Sequence, residues 1–536
     1  MKNICLALCS TVLLASAPVA HAAGPAGWLA PQQPFAVYGN TYYVGTHGIS
    51  NVLITSSSGH ILIDGGTEEA PAQIVEHIRA LGFKVEDIKY ILNSHEHHDH
   101  AGGIAELQKL TGATVLTSAA AADVLRTGRP NKADPQYDAT SRSMAPSGKV
   151  QAVPDGAVVS LGALRVTAHY TPGHTPGGVS WTWQSVEGGV TANMVYADSL
   201  SAIAAPPFQY RANQTYPQAR ADLERSIATV AALPCDILIS VHPESSELWP
   251  RLEEAQKGGH AAFIDRNACR VYAANGRARL DAELAEEAGQ PNVAIWNQSA
   301  QLDRLFTREG VTGTFVLHDV SDNVYVVHDR ARAETRFVPM STFKVANSLI
   351  GLSTGTVASV DEVLPYGGGK TSRPEWAHDM SLRDAIKISN VPVYQGMARR
   401  IGLPAMQENL QKLHYGNMDP GTVVDMFWLR GPLKISAIEQ TAFLEKLAQD
   451  QLPFPKSAMA AVRDITRQEG AADLHAKTGM GNGRSKDVDL GWWVGWVVKE
   501  GKVYSFALNM EVPDGTPDKR VALGKAALSL LGVLKQ

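Results

Sequence analysis

A chain of 536 residues, 44% hydrophobic and 19% charged, has the composition of a soluble globular protein and the length of about two to four domains. Its formal net charge is -5 and it has no basic block, which removes the electrostatic case for nucleic acid or an anionic membrane surface. No run beyond the N-terminus approaches the ~18 apolar residues of a membrane-spanning helix, so no membrane anchor is expected.

The first 22 residues read as a signal peptide. Lys2 supplies positive charge, Ile4 to Ala15 is mostly apolar, and Ala20-His21-Ala22 fits a small-x-small cleavage site, so the mature chain starts near Ala23 and is exported to the periplasm. A short cytosolic helix is the alternative. Leu6-Ala7-Leu8-Cys9 lies too near the start to serve as a lipobox. Cys5 and Cys9 leave with the signal. Cys235 and Cys269 remain, either as a disulfide contributing roughly 2–4 kcal/mol or as two buried thiols.

Thr41 to Val44, Ser50 to Ile54 and His60 to Asp64 read as consecutive strands. Glu68 to Leu81 carries Ile74, Ile78 and Leu81 at helical spacing. The apolar run Ile88 to Leu92 then delivers Asn93-Ser94-His95-Glu96-His97-His98-Asp99-His100, and Ile104 to Leu110 resumes as helix. Four of the chain's 17 His fall within this one stretch. Neutral imidazoles and carboxylates at such spacing suit zinc, whose open coordination position activates water. Further candidates arrive at strand ends. Thr171-Pro172-Gly173-His174-Thr175-Pro176-Gly177 brackets a His between rigid turns. Met194 to Leu200 runs into Asp198 and Ser199, and Ile237 to Val241 ends on His242.

H-x-H-x-D-H, T-P-G-H-T-P-G, Y-A-D-S-L and a strand-terminal His-Pro, in this order, resemble the metallo-β-lactamase superfamily, and within it the third subclass of true metallo-β-lactamases. The resemblance runs from about Gly24 to Glu287 and implies an αββα sandwich with metals at one edge. It implies one zinc on His95, His97 and His174 and a second on Asp99, His100 and His242. A hydroxide shared by the metals would attack the β-lactam carbonyl, with Asp99 orienting it. Ser199, where the first subclass has a Cys ligand, and Ser201 would meet the drug carboxylate. Glu96 and His98 would support the loop without binding metal. The Cys235/Cys269 pair matches the disulfide of the third subclass. Asp198 is open to two readings: a metal-bridging role would point instead to a glyoxalase-II-like or lactonase-like esterase.

Ala261 to Ala285 reads as helix, with Asn275-Gly276 as a possible break. Glu286 to Asn292 supplies stop and linker signals. The expected organisation is therefore a two-domain α/β chain: signal peptide 1–22, first domain 23–287, linker 288–292 and second domain 293–536.

In the second half, Gly313 to Asp319 and Val324 to Asp329 look like antiparallel strands around a Ser-Asp-Asn turn. Ser341-Thr342-Phe343-Lys344 then opens an apolar helix and puts a hydroxyl and an amine on one face. Serine becomes a nucleophile once a base takes its proton, and Lys can do so only when uncharged. Ser389-Asn390-Val391 follows the helical run Leu382 to Ile388, and Lys477-Thr478-Gly479 opens a strand-like tail.

This trio resembles the penicillin-recognising serine enzymes. With Tyr415-Gly416-Asn417 and Phe427-Trp428-Leu429 it resembles the class D β-lactamases, the oxacillinases, from about Val293 onward. The implied fold is an α+β sheet packed on helices, with the site between sheet and helical subdomain. Ser341 would be acylated. Lys344, in an apolar pocket with Val391, Trp428 and Leu429, would take up carbon dioxide as a carbamate (N6-carboxylysine) and act as general base. Ser389, near Lys477, would relay a proton to the leaving nitrogen. Thr478, Gly479 and Arg520 would meet the drug carboxylate, and the N–H groups of Ser341 and Met480 would form the oxyanion hole. Arg520 has a second reading, as part of a cap on a terminal helix.

The resemblances imply a bifunctional, periplasmic β-lactamase with two zinc ions in its first domain and small-molecule penicillins, cephalosporins or carbapenems as substrates. No motif sets an oligomeric state. Two rival readings stand beside it: a zinc esterase or lactonase fused to a penicillin-binding domain, and a β-lactam sensor that acylates without turnover.

Overall fold

The computed structural model describes residues 25–138, 141–289, 294–470, 472–485, 488–513 and 518–535. The expected signal peptide and residues 290–292 of the expected linker lie outside the described residues.

The first half is built on two sheets. One runs, in spatial order, Phe35–Tyr38, Thr41–Tyr43, Val52–Ser56, Gly59–Ile63, Ile88–Leu92, Thr114–Thr117 and Val150–Ala152, with antiparallel pairing up to Gly59–Ile63 and parallel pairing beyond it. The other is ordered Ile237–Ser240, Val190–Ala197, Val179–Glu187, Leu164–Tyr170 and Val158–Leu161. Period-two patterning sends Val52, Ile54, Ile61 and Ile63 inward from one sheet and Val179, Trp181 and Trp183 inward from the other, where they share one core. The outer faces are covered by helices. Ile74, Ile78, Ile104 and Leu107 pack on the first sheet, and Leu223, Ile227, Cys269 and Tyr272 on the second. This is the expected αββα sandwich, and each large apolar side chain so buried contributes about 1.5–3 kcal/mol.

The expected helix from Glu68 is shorter, Pro71–Ala80, because a proline with fixed φ favours the first helical position. The helix expected over Ala261 to Ala285 starts only at Ala268 and runs unbroken to Glu287. Asn275 and Gly276 do not interrupt it. A Cβ on Gly276 would stand 2.8 Å from that of Leu200, so the glycine lets the helix lie close to the strand-end loop.

The second half has a sheet ordered Ile295–Gln298, Val324–His328, Gly313–Asp319, Lys502–Pro513, Val488–Lys499 and Asp473–Ser485. Lys477-Thr478-Gly479 therefore lies inside a strand that begins at Asp473, not at its opening. Helices Ala300–Glu309 and Arg520–Leu530 cover one face. On the other face the Lys344–Ser353 helix is buried from Lys344 to Gly351, and the remaining helices enclose it. Its apolar residues Val345, Ala346, Leu349 and Ile350 pack in that core, while Lys344, Asn347 and Ser348 are buried with them.

The halves meet along the Ala268–Glu287 helix. Asn275 exchanges hydrogen bonds with the Gln298 backbone at 2.9 and 3.2 Å, and Arg304 reaches Asp265 at 2.7 Å. Glu247, a residue of the first half, accepts from Ser299 Oγ and Gln301 N, both at 2.9 Å. It thereby supplies a carboxylate to the first turn of the Ala300–Glu309 helix, where orphan N–H groups favour an anion.

Candidate functional site

The first site forms where strands of both sheets end on the same side. Ile88–Leu92 delivers the His-rich stretch, held at its start by the buried Asp64. Asp64 accepts from Ser94 N at 2.7 Å, Ser94 Oγ at 2.6 Å, Asn93 Nδ2 at 3.1 Å and Tyr196 OH at 2.9 Å. Asp99 and His100 sit on a single helical turn, His98–Ala101, rather than in an open loop. The Pro-Gly brackets around His174 have a steric reason. A Cβ on Gly177 would fall 2.3 Å from Glu96 Oε2, and one on Gly178 2.2 Å from Asp198 Oδ2.

His95, His97 and His174 bring ring nitrogens within 4.8 Å of one another, and the ring nitrogens of His95 and His100 lie equally close to each other and to a carboxylate oxygen of Asp99. His242 joins the second group with Nε2 3.6 Å from Asp99 Oδ2. Glu96 is buried and accepts from Thr175 Oγ1 at 2.8 Å, whereas His98 is exposed beside Trp28. Asp198 Oδ1 lies 2.8 Å from His95 Nδ1, the other ring nitrogen from Nε2. Asp134, absent from the sequence reading, takes the Nε2 side of His97 at 2.7 Å, and His174 Nδ1 meets the Ser201 carbonyl at 2.8 Å. These contacts fix the outward ring nitrogens and leave the inward ones to converge.

The donor set suits a metal. His95 Nε2 is buried with no hydrogen-bond partner among the described residues. Burial and neighbouring imidazoles hold His95 well below the usual imidazole value, with His174 at about 3 and His242 at about 4, so these rings are neutral. Burial works to raise the Asp99 carboxyl, but His100, His242 and His97 overcome it and keep it ionised. Burial also disfavours the His97 cation, yet Asp134 raises that ring to about 9. Ligation through Nδ1 would displace one proton and leave the other on Nε2, facing Asp134. His97, Asp99, His174, His242, Ser199 and Ser201 all line one cavity of about 470 Å³.

The second site lies between the Asp473–Ser485 strand and the buried helix. Ser341 stands in a single 3-10 turn, Met340–Phe343, and the regular helix starts at Lys344. Lys344 Nζ donates to Ser341 Oγ at 2.7 Å and to Ser389 Oγ at 3.3 Å, and Lys477 Nζ donates to Ser389 Oγ at 3.1 Å. Met340 (φ 52°) and Ser389 (φ 57°) both hold left-handed backbone, the strained geometry that clusters at reactive sites. Gly479 permits the strand to approach: its Cβ would lie 3.0 Å from the Pro339 carbonyl.

Burial, then Lys477 and Arg373, hold the Lys344 amine well below the usual lysine value. Burial, Arg520 and Arg373 bring Lys477 down to about 7. Trp428 is buried against Phe343, ring centroids 5.5 Å apart, and its indole N–H has no partner among the described residues. Val391 and Leu429 are half-buried nearby in the chain. Arg520 is the first residue of the terminal helix, and its guanidinium holds Asp518 and the Gly479 carbonyl beside Thr478 and Met480. A Cβ on Gly491 would lie 2.7 Å from Arg520 Cδ, so that glycine makes room for it.

Residues 44–242 match the family described as the metallo-beta-lactamase superfamily, and residues 308–528 match the penicillin binding protein transpeptidase domain. Beta-lactamase OXA-10 of Pseudomonas aeruginosa is 40% identical over 220 residues, 40% of this chain and 80% of that protein. Among solved structures, MEM-A1, a subclass B3 metallo-beta-lactamase from a soil metagenome library, is 60% identical with a TM-score of 0.48, covering 49% of this chain and 99% of its own. FUS-1 (OXA-85), a class D beta-lactamase from Fusobacterium nucleatum, is 41% identical with a TM-score of 0.43, covering 45% of this chain and 100% of its own. The chain therefore belongs to the β-lactamases, with a metallo-β-lactamase half followed by a class D serine half.

Proposed function

We propose that both halves hydrolyse the β-lactam amide, by different chemistry, in an exported periplasmic protein whose domains are 23–287 and 293–536. The observation that carries this reading is the presence of two separately complete constellations. One is a Ser341–Lys344–Ser389–Lys477 chain linked at 2.7, 3.3 and 3.1 Å. The other is a convergent set of imidazoles and a carboxylate around one cavity.

In the first half, His95, His97 and His174 would hold one zinc ion and Asp99, His100 and His242 a second, as in the third subclass. Zinc at such a site lowers the pKa of water and polarises a carbonyl oxygen. The protein's own part is positioning. Asp198, Asp134 and the Ser201 carbonyl set the ring tautomers, Ser199 and Ser201 meet the drug carboxylate, and Asp99 orients the attacking water. Asp64 anchors the stretch that carries four of these groups.

In the second half, the proton on Ser341 Oγ leaves toward the Lys344 side chain as the oxygen attacks the lactam carbonyl. The N–H groups of Ser341 and Met480 receive the developing oxyanion. As the C–N bond breaks, Ser389 passes a proton to the nitrogen, with Lys477 at its other side. Water then hydrolyses the Ser341 ester. Carbon dioxide bound to Lys344 as a carbamate would supply a general base for both stages. The depressed lysine and the unpartnered Trp428 N–H, a donor suited to an anion, support that modification. Thr478, Gly479 and Arg520 orient the drug carboxylate, since a guanidinium suits bidentate contact.

The decisive experiment crosses Ser341→Ala with the His95→Ala/His97→Ala pair. Each lesion leaves one hydrolytic activity and the combination leaves none. If either lesion alone abolishes all β-lactam turnover, the bifunctional reading fails.

A further inference from the structure

The segment from Thr371 to Trp376 borders the serine site and takes no part in the chemistry above. Arg373 within it is exposed, with its guanidinium carbon 5.1 Å from the centre of the Trp376 ring. Thr371 Oγ1 donates to the Arg373 carbonyl at 2.8 Å, and Trp376 N donates to it at 3.1 Å, so the backbone there is held. Trp376 is pinned in turn. Its indole N–H donates to the Ile388 carbonyl at 3.1 Å, and its own carbonyl accepts from Asn390 Nδ2 at 3.2 Å. Those two bonds bracket Ser389, the hydroxyl that both Lys344 and Lys477 reach.

Arg373 thus stands on the Ser389 wall of the site, where its charge acts on both lysines. Arg383 nearby is paired with Asp361 and Asp464, but Arg373 has no carboxylate partner among the described residues. Arg520 approaches from the opposite wall, the Asp473–Ser485 strand, and is already engaged by Asp518 and the Gly479 carbonyl. A guanidinium with no carboxylate partner among the described residues, set over a ring on the wall that carries Ser389, raises the positive potential of the entrance and favours an incoming anion.

We propose that Arg373 is a specificity residue that recognises a second anionic group on the substrate, a carboxylate or sulfonate carried by the acylamino side chain, while the Arg520 wall takes the ring carboxylate. The proposal rests on the serine-site reading above. It predicts that this half prefers an anionic side chain over a neutral one of the same shape, and that the preference resides in one residue.

The test uses the full chain with His95→Ala and His97→Ala, so that only the serine half turns over. It measures kcat/KM for an α-carboxy arylacetyl penicillin and for the matching neutral arylacetyl penicillin. Arg373→Ala lowers the anionic-to-neutral ratio about fivefold or more, and Arg373→Glu lowers it further. Arg373→Lys keeps most of the ratio, and added salt erodes it in the parent but not in Arg373→Ala. A ratio unchanged within about twofold in both Arg373→Ala and Arg373→Glu would overturn the proposal, as would an equal fall for both substrates, which marks an effect through the lysines alone. If the parent with the metal lesions hydrolyses neither penicillin, the serine-site reading itself is overturned, and this proposal with it.

Discussion

In the serine half, Ser341, Lys344, Ser389 and Lys477 satisfy one another through direct hydrogen bonds. In the first half, candidate ligand atoms converge on one another, and the buried His95 Nε2 has no partner among the described residues. One site is closed by hydrogen bonds among its own side chains; the other leaves a donor set that suits a metal. The supports differ accordingly. The candidate ligands His95 and His97 are met by Asp198 and Asp134, and Asp64 anchors the start of their stretch through Ser94, whereas the serine site stores backbone strain at Met340 and Ser389. An uncompleted donor set is a better sign of a metal than any tally of histidines, because buried polar atoms are otherwise paired.

The sharpest way to break this contrast is to remove the nucleophile and the ligands separately. With His95→Ala and His97→Ala in place, Ser341→Ala is expected to reduce hydrolysis of a chromogenic cephalosporin by about 10³-fold or more. In a chain carrying Ser341→Ala alone, a chelator removes the remaining activity and added zinc restores it. Chelator-resistant turnover in that variant would contradict the metal assignment.

The depressed lysines make the serine half the pH-sensitive one. In the metal-lesioned chain, turnover declines on the acid side as the Lys344 amine takes up a proton, and bicarbonate raises it. The sign for stability follows from Lys477, whose folded-state value is lowered to about 7. From that value up to roughly 10 the unfolded chain binds the extra proton, so stability of this half rises with pH across that window. Urea unfolding at several pH values, followed by tryptophan fluorescence, measures it; a flat profile would show that Lys477 is not desolvated.

Smaller effects test the frame of the metal half. Cys235 and Cys269 are joined, tying the approach to the Ile237–Ser240 strand to the Ala268–Glu287 helix. Replacing both by Ser is expected to cost that half about 2–4 kcal/mol while leaving the serine half intact, as read by denaturant unfolding and residual acylation of Ser341. Smaller still, Glu247→Ala is expected to cost about 1–2 kcal/mol, because it removes the acceptors of the Ser299 hydroxyl and the Gln301 N–H at the start of the Ala300–Glu309 helix. A loss confined to one half would show that Glu247 does not couple them.

Much of the candidate chemistry was legible as local pattern. His95 to His100 and Ser341 to Lys344 are contiguous, and spacing along one turn or loop determines which side chains share a face. His174 and His242 could be read because each ends a strand next to Pro or Gly. Asp134 offered no such signal: it sits among turn residues, and only folding brings it to His97 Nε2. Asp64 ended a strand as the ligands do, but its work, gathering the N–H and O–H groups of Asn93, Ser94 and Tyr196, is a property of three strands meeting.

Period, turn chemistry and short motifs along the chain were enough to read the two fold patterns and the reactive residue types. What each reactive atom faces emerged with the folded structure. That structure showed that Asp198 meets His95 Nδ1, that Gly276 is a packing contact and not a helix break, and that Arg520 serves both a helix start and the Gly479 strand. It also decided how the halves join, through Glu247 and Asn275. The physical reason is distance along the chain. Local order follows from neighbouring residues, but burial, tautomer and pairing depend on partners tens to hundreds of residues away, and nothing in a linear pattern records them.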